Sequence, residues 1–360
     1  MHLLSITATN DRSEVEIYRS LVARGHKVDL ICDTEWMGEA PLIDGGVNVI
    51  KMKIKHRLDF NAVREIRNLI GKIKPDVIYA PRNSTLSTAL MATRTCPVVG
   101  YRGTTGHLSR FDPASWLTYF HPRLKRIVCV SEAVRQYLLT KRIPEKVVHT
   151  IHKGHRAEWY DFNQAVDLTQ FGIPENAFVV GFTGNIRPVK GVDVLLQSLL
   201  EIDDSLNVHA LLIGEVRDEK IKAMAAEPEI AKKAHFIGYR TDAPILAGAC
   251  DAFAMPSVER EGLPRAVIEA MAQHVPAIVS NVGGMPELVE DGVSGLVVPP
   301  RDHIALAKAI TKLASDREHS KALGQAARER IETAFNIDAT IDKIEILFQS
   351  VVEDNLSKRS

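Results

Sequence analysis

Short apolar runs alternate along the chain with stretches whose apolar residues recur at the 3.6-residue spacing of an amphipathic helix. In the first half the runs are HLLSI (2–6), KVDLI (27–31), DVIYA (76–80), PVVGY (97–101) and RIVCV (126–130). Between the first two, SEVEIYRSLVARG brings Val15, Tyr18, Leu21 and Val22 to one helical face before Gly25 stops the helix. Strands separated by helices need crossover connections, so the pattern predicts a parallel, doubly wound α/β sheet. Residues 155–176 hold no sustained strand and read as a linker. The alternation then restarts with FVVGFT (178–183), HALLIG (209–214), HFIGY (235–239), DAFAM (251–255), PAIVS (276–280) and GLVVP (295–299). The expected architecture is two Rossmann-like parallel-sheet domains, 1–165 and 166–335, facing a central cleft. Ligands would sit at the carboxyl ends of the strands, and a C-terminal helix within 336–360 would pack back on the first domain.

A length of 360 residues suits two cores better than one. The 45% hydrophobic and 25% charged content excludes disordered and low-complexity classes. No apolar stretch is long enough for a membrane span, and MHLLSITATNDRSE turns polar too early for a secretory leader, so a cytoplasmic protein is expected. Cys32, Cys96, Cys129 and Cys250 are scattered with no C-x-x-C, which suits buried thiols in a reducing compartment and argues against zinc. Charge adds an asymmetry. Residues 1–165 carry 25 Lys+Arg against 16 Asp+Glu, and the remainder 20 against 29. The basic half suits an anionic partner, or is a solvated surface and nothing more.

Candidate chemistry concentrates in residues 256–300. Glu261 and Glu269 are eight apart, a little over two helical turns, which would put both carboxylates on nearly the same side of one helix with Pro264 in its first turn. Free N–H groups near Gly262, Leu263 and Pro264 would then face a ligand, and the carboxylates would hold a polyol; two glutamates so spaced are also common on plain surface helices. Gly283 and Gly284 precede another helix start. In GFTGNIRPVKG, Gly184 ends a strand and a helix is expected to begin near Lys190, with Arg187 and Lys190 flanking a diphosphate-sized anion.

GNIRPVKG, HFIGYRTD, CDAFAMPS, the Glu261/Glu269 pair and VGGMPELVEDGVSGLVVPP, in this order, resemble the large family (family four, the glycosyl transferases group 1) of retaining GT-B glycosyltransferases that use nucleotide-diphosphate sugars. The likeness is dense over 178–300 and weaker in the first half, where VCVSEAVRQYL and HTIHKGH are similar to the family's segment before the linker. The resemblance implies that Glu269 hydrogen-bonds the ribose and that Glu261 orients the donor sugar. It implies that amides around Gly262, Leu263 and Pro264 meet sugar and phosphate, and that Ile237, Gly238 and Tyr239 edge the nucleobase. Lys190 matches the lysine that grips the diphosphate. The family's companion arginine usually follows Gly184 directly; here Asn185 stands there, and Arg187 follows two residues later. The implied reaction retains anomeric configuration and needs no cofactor. The chain has no D-x-D, which agrees with a metal-free site.

For the acceptor, a glycan or lipid-linked hydroxyl, the resemblance implies the first domain. The family's glycine-rich first loop is absent: SITATNDRSE offers Thr7 and Thr9 hydroxyls instead. YRGTTGHLSRF supplies Thr105, and also His107, which would act on the donor or acceptor hydroxyl. WLTYFHPRLKR (116–126) mixes aromatics with Arg123, Lys125 and Arg126, as a peripheral contact with anionic membrane at the inner face would, although such stripes more often pack into a core. A surface glycan or glycolipid such as lipopolysaccharide or capsule is the expected product class. The alternatives are a catalytically silent nucleotide-sugar-binding module and a GT-B nucleotide-sugar epimerase. A dehydrogenase lacks its G-x-G-x-x-G, and no nucleic-acid motif is present.

Overall fold

The computed structural model describes residues 1–33, 38–162 and 164–357. It comprises two compact units: Met1–Gly154 with Ile337–Ser360, and His155–Asn336. The expected boundary at 165 falls inside the second unit, because residues 155–162 pack there. Ala157 and Tyr160 are buried in its core, the His155 N–H donates to the Phe335 carbonyl, and Asp161 pairs with Arg328.

The first unit holds seven parallel strands, β1 (His2–Ile6), β2 (Lys27–Cys32), β3 (Asn48–Lys51), β4 (Val77–Ala80), β5 (Val98–Arg102), β6 (Leu124–Cys129) and β7 (Val148–Thr150), in the order β3-β2-β1-β4-β5-β6-β7. Strands covered on both faces need near-continuous apolar runs, and β1, β2 and β4 have them, with Leu3, Leu4, Ile6, Leu30, Ile31, Val77 and Ile78 all buried. The helix Arg12–Ala23 starts on a capping box, in which Asp11 accepts from the Glu14 N–H and the Glu14 carboxylate accepts from the Asp11 N–H. Its buried face is Ile17, Tyr18 and Leu21; Val15 and Val22, expected inward, are half-buried. The helix Ile337–Leu356 belongs to this unit. Phe348 is fully buried with its ring 5.4 Å from Tyr79, and Arg24 reaches Asp342 at 2.7 Å and Glu345 at 2.5 Å. Among the described residues no helix is long and apolar enough to cross a membrane.

The second unit holds six parallel strands, β8 (Phe178–Thr183), β9 (Val208–Ile213), β10 (Ala234–Phe236), β11 (Ala252–Met255), β12 (Ala277–Ser280) and β13 (Gly295–Val298), in the order β10-β9-β8-β11-β12-β13. In both sheets the order reverses beside the first strand of the unit. The loops leaving β1 and β4, and those leaving β8 and β11, therefore diverge to opposite sides and open a crevice at the carboxyl ends.

Candidate active site

The loops from β8 and β11 meet at the second unit's switch point. Gly191, in the left-handed region at φ +66°, lets its loop pass where a Cβ would lie 2.0 Å from the Pro256 carbonyl oxygen. The Val258 N–H donates to the Val189 carbonyl at 2.9 Å, fixing one loop on the other. Across this contact Lys190 Nζ donates to Glu261 Oε1 at 2.6 Å, and Ser257 Oγ donates to the same oxygen at 2.7 Å. Ser257 is itself held by its carbonyl, which accepts from Ser280 Oγ at the end of β12. Arg260 sits at φ +65°, a conformation a side chain rarely adopts, and turns the chain sharply into Glu261. On the other side Gly283, at φ +57°, packs its Cα where a Cβ would lie 2.0 Å from the Glu261 carbonyl oxygen.

Glu261 and Glu269 do not share a helix. The helix runs Arg265–Met271 with Pro264 at its N-cap, so Glu261 is a buried loop residue and only Glu269 is helical. A left-handed Arg260 and three non-helical residues after Glu261 break the spacing argument. Burial pushes the Glu269 carboxyl above the usual carboxylate range, opposed by Arg265, whose Nε lies 3.1 Å from Glu269 Oε1. A buried carboxylate with lone pairs to spare suits neutral hydroxyl donors. Gly262 and Pro264 are buried beside it and Leu263 is half-buried.

Lys190 ends a short 3-10 turn, Pro188–Lys190, and the α-helix begins only at Val192. Arg187 and Asn185 are exposed, and the Arg187 side chain has no hydrogen-bond or ion-pair partner among the described residues. Gly184 (φ +154°) and Gly214 (φ +152°) stack the β8 and β9 loops: a Cβ on Gly214 would lie 1.9 Å from the Gly184 carbonyl oxygen, and the Gly214 N–H donates to the Gly238 carbonyl at 2.8 Å. The strand expected through residue 239 ends at Phe236. Gly238 at φ +71° turns the chain out, and Tyr239 is exposed. Thr183 Oγ1 and Asp193 Oδ1, flanking Gly184 and Lys190 in sequence, are buried with no hydrogen-bond partner among the described residues. Buried polar atoms seldom stay unpaired without a ligand or water.

The first unit's switch point is organised by a residue that the motif reading passed over. Arg82, after β4, donates to the Thr9 carbonyl (3.0 Å) and to Thr9 Oγ1 (2.9 Å), with Thr7 Oγ1 at 3.4 Å. Thr7, expected to offer its hydroxyl to an acceptor, is buried and donates that hydroxyl to the Thr9 carbonyl at 2.9 Å. Asn10, next in this loop, keeps both side-chain polar atoms buried without a partner among the described residues. The only sequence signal for Arg82 is a cation two residues after a strand end, behind Pro81. His107 is exposed at φ +57° next to Gly106 at φ +106°, and the loop carrying it and the half-buried Thr105 is tied down by Arg102, which donates to the Thr104 and Gly106 carbonyls. In the 116–126 stripe, Tyr119 is buried with its hydroxyl donating to Asn83 Oδ1 (2.8 Å), Arg123 donates to the Thr93 carbonyl (2.7 Å), and Arg126 pairs with Asp354 (2.5 Å). Most of that stripe is packing rather than free surface.

A family model described as Glycosyltransferase Family 4 matches residues 12–159, and one described as Glycosyl transferases group 1 matches residues 163–330. The chain is 24% identical over 245 residues to the capsular polysaccharide biosynthesis glycosyltransferase CapM of Staphylococcus aureus, covering 64% of this chain and 63% of that one. It is 31% identical over 189 residues to the D-inositol 3-phosphate glycosyltransferase of Corynebacterium efficiens, covering 50% and 44%. The match thus spans about half the length of these relatives. Its fold is similar to that of Anabaena Alr3699/HepE, solved in complex with UDP, with a TM-score of 0.81 over 97% of this chain and 100% of that one at 20% identity. With one model on each half and two parallel α/β sheets beneath them, the chain belongs to the group 1 glycosyl transferases and has their GT-B fold.

Proposed function

We propose that the protein transfers a sugar, with retention at the anomeric carbon, from a nucleotide-diphosphate sugar to a hydroxyl on a glycan or lipid-linked acceptor. The observation that carries this reading is the junction of Lys190, Glu261 and Ser257 at a topological switch point, one helix start away from the buried Glu269 carboxylate. In this reading Glu269 accepts from the ribose hydroxyls, and the Gly184 and Gly238 loops border the nucleotide. Lys190 leaves Glu261 for the diphosphate, with Arg187 as the second cation. The freed carboxylate of Glu261 then accepts from the sugar hydroxyls. Breaking the glycosyl phosphate bond moves negative charge onto the diphosphate, where a preorganised ammonium is worth most. These cations neutralise the leaving group without a metal, and the nucleotide sugar is substrate rather than cofactor. His107 and the Thr9 and Thr105 loops serve the acceptor side. A capsule-forming relative and a UDP-bound structural neighbour support a surface glycan product and a nucleotide-linked donor.

Thermal-shift measurement against UDP, GDP and ADP tests the site, since a ligand of the folded state raises Tm by mass action. One of the three is expected to raise it. Glu269→Ala should abolish most of that rise, and Lys190→Ala should lower turnover by about a hundredfold. Unchanged binding and turnover in both variants would contradict the assignment, whereas binding without turnover in the unmodified chain would favour a silent sugar-nucleotide-binding module.

A further inference from the structure

The nucleotide pocket proposed above has two halves that hang on two different helices. Glu269 stands on Arg265–Met271, whereas the loop of Gly238 and Tyr239 runs into the helix Ala243–Gly248. The loop is tied to the sheet at its start, where the Ile237 N–H donates to the Leu212 carbonyl at 3.1 Å and the Gly238 carbonyl accepts from Gly214. Its far end goes where the second helix goes. Asp242, the residue before that helix, accepts from Arg240 Nε at 2.8 Å and from a terminal guanidinium nitrogen at 2.7 Å, and its carbonyl accepts from the Ile245 N–H at 2.9 Å. The separation of this loop from the Glu269 carboxylate therefore depends on how the two helices are fixed to one another.

One side-chain amide bonds to both. The helix Arg265–Met271 closes on His274 in the left-handed region (φ +61°), with the His274 N–H donating to the Met271 carbonyl and the Val275 N–H to the Ala270 carbonyl, both at 3.1 Å. The Ala272 N–H goes to Ile268 and the Gln273 N–H to Ala270, both at 2.9 Å, so this close passes over the Glu269 carbonyl. A last-turn carbonyl left in this way needs a donor from elsewhere. Gln273 supplies it from its side chain: Nε2 donates to the Glu269 carbonyl at 2.9 Å and, with its second hydrogen, to the Pro244 carbonyl in the first turn of Ala243–Gly248 at 2.8 Å. The other end of the amide, Oε1, lies where a Cβ on Gly248 would come within 2.0 Å of it. Glycine is a poor helix residue, and the room that it leaves here is taken by the glutamine amide.

We propose that Gln273 is a positioning residue of the nucleotide site: seated in the slot that Gly248 leaves, its amide sets the distance between the nucleobase loop and the ribose-binding carboxylate of Glu269. The inference rests on the donor site proposed above and adds to it a residue that acts without touching the ligand. The test is isothermal titration of the full chain with whichever of UDP, GDP and ADP raises Tm, and with inorganic pyrophosphate, which engages the Lys190 end alone. Gln273→Met keeps the length of the side chain and removes both donors. Gly248→Ala leaves Gln273 in the chain and drives its amide out of the slot. Each variant is expected to weaken the nucleoside diphosphate about five- to tenfold and to leave pyrophosphate at its parental affinity. Because the two changes break the same link, the double variant should bind no more weakly than the weaker single one. Parental nucleotide affinity in both single variants, losses that add in the double variant, or an equal loss for pyrophosphate would overturn the proposal. If Glu269→Ala leaves nucleotide binding intact, the donor site itself is misplaced and the proposal falls with it; a loss in Glu269→Ala without one in Gln273→Met refutes the role of the glutamine and leaves the donor site standing.

Discussion

At the scale of single residues the site depends on one carboxylate oxygen. Glu261 Oε1 accepts from both Lys190 and Ser257, so in the proposed reaction the ammonium departs toward a diphosphate while the serine hydroxyl keeps the carboxylate in place. Ser257 thereby acts as a positioning residue, and its own carbonyl is secured by Ser280. A hydrogen bond to a charged acceptor contributes about 1.5–3 kcal/mol. Ser257→Ala is therefore expected to lower turnover about ten- to a hundredfold while leaving most of the nucleotide-induced thermal shift; a variant with parental kcat would show that Glu261 needs no such anchor. The sequence marks Lys190 and Glu261 separately, through a turn and a Glu pair. It cannot show that they meet, because the meeting depends on how two loops 71 residues apart are threaded past Gly191 and Gly283.

At the scale of elements, the central strands were legible because burial on both faces demands unbroken apolar runs such as FVVGFT. The edge strands β3 and β7 were not: NVIK and VHT are short and half polar, and what makes them strands is a neighbour's ladder rather than their own composition. The β9–β10 edge carries a titratable pair. His209 Nδ1 and His235 Nε2 are 3.0 Å apart on adjacent strands. Burial lowers both imidazoles below their ordinary range, and for His209 the His235 ring adds to the effect. Above the unfolded value of about 6.5 both rings are neutral in either state and stability is unaffected. Below it the unfolded chain takes up protons that the folded pair resists, so stability falls as pH drops toward the lowered folded values. The urea midpoint of the second unit is expected to decline between about pH 6.5 and pH 5, and replacing both histidines by Asn should flatten that decline; an unaltered slope would remove the pair as its cause.

At the scale of the whole molecule, the two-domain plan was legible from the restarted alternation, but the ownership of residues 155–162 was not. Their sequence looks like linker, and only the burial of Tyr160 and the Asp161–Arg328 pair give them to the second unit. The helix Ile337–Leu356 is the reverse case, distant in sequence and integral to the first unit's core. Phe348→Ala should cost about 3–5 kcal/mol, read as a lower urea midpoint for the first unit with the second unit's transition unmoved. A coincident drop in both would mean that the units do not unfold separately. This discontinuity also sets an order of events on the ribosome. The second unit is contiguous and has its complete sequence as soon as Asn336 clears the exit tunnel, whereas the first, although made earlier, must wait with Tyr79 uncovered until the helix Ile337–Leu356 arrives. Chaperone dependence during synthesis should therefore track the half of the chain that is translated first.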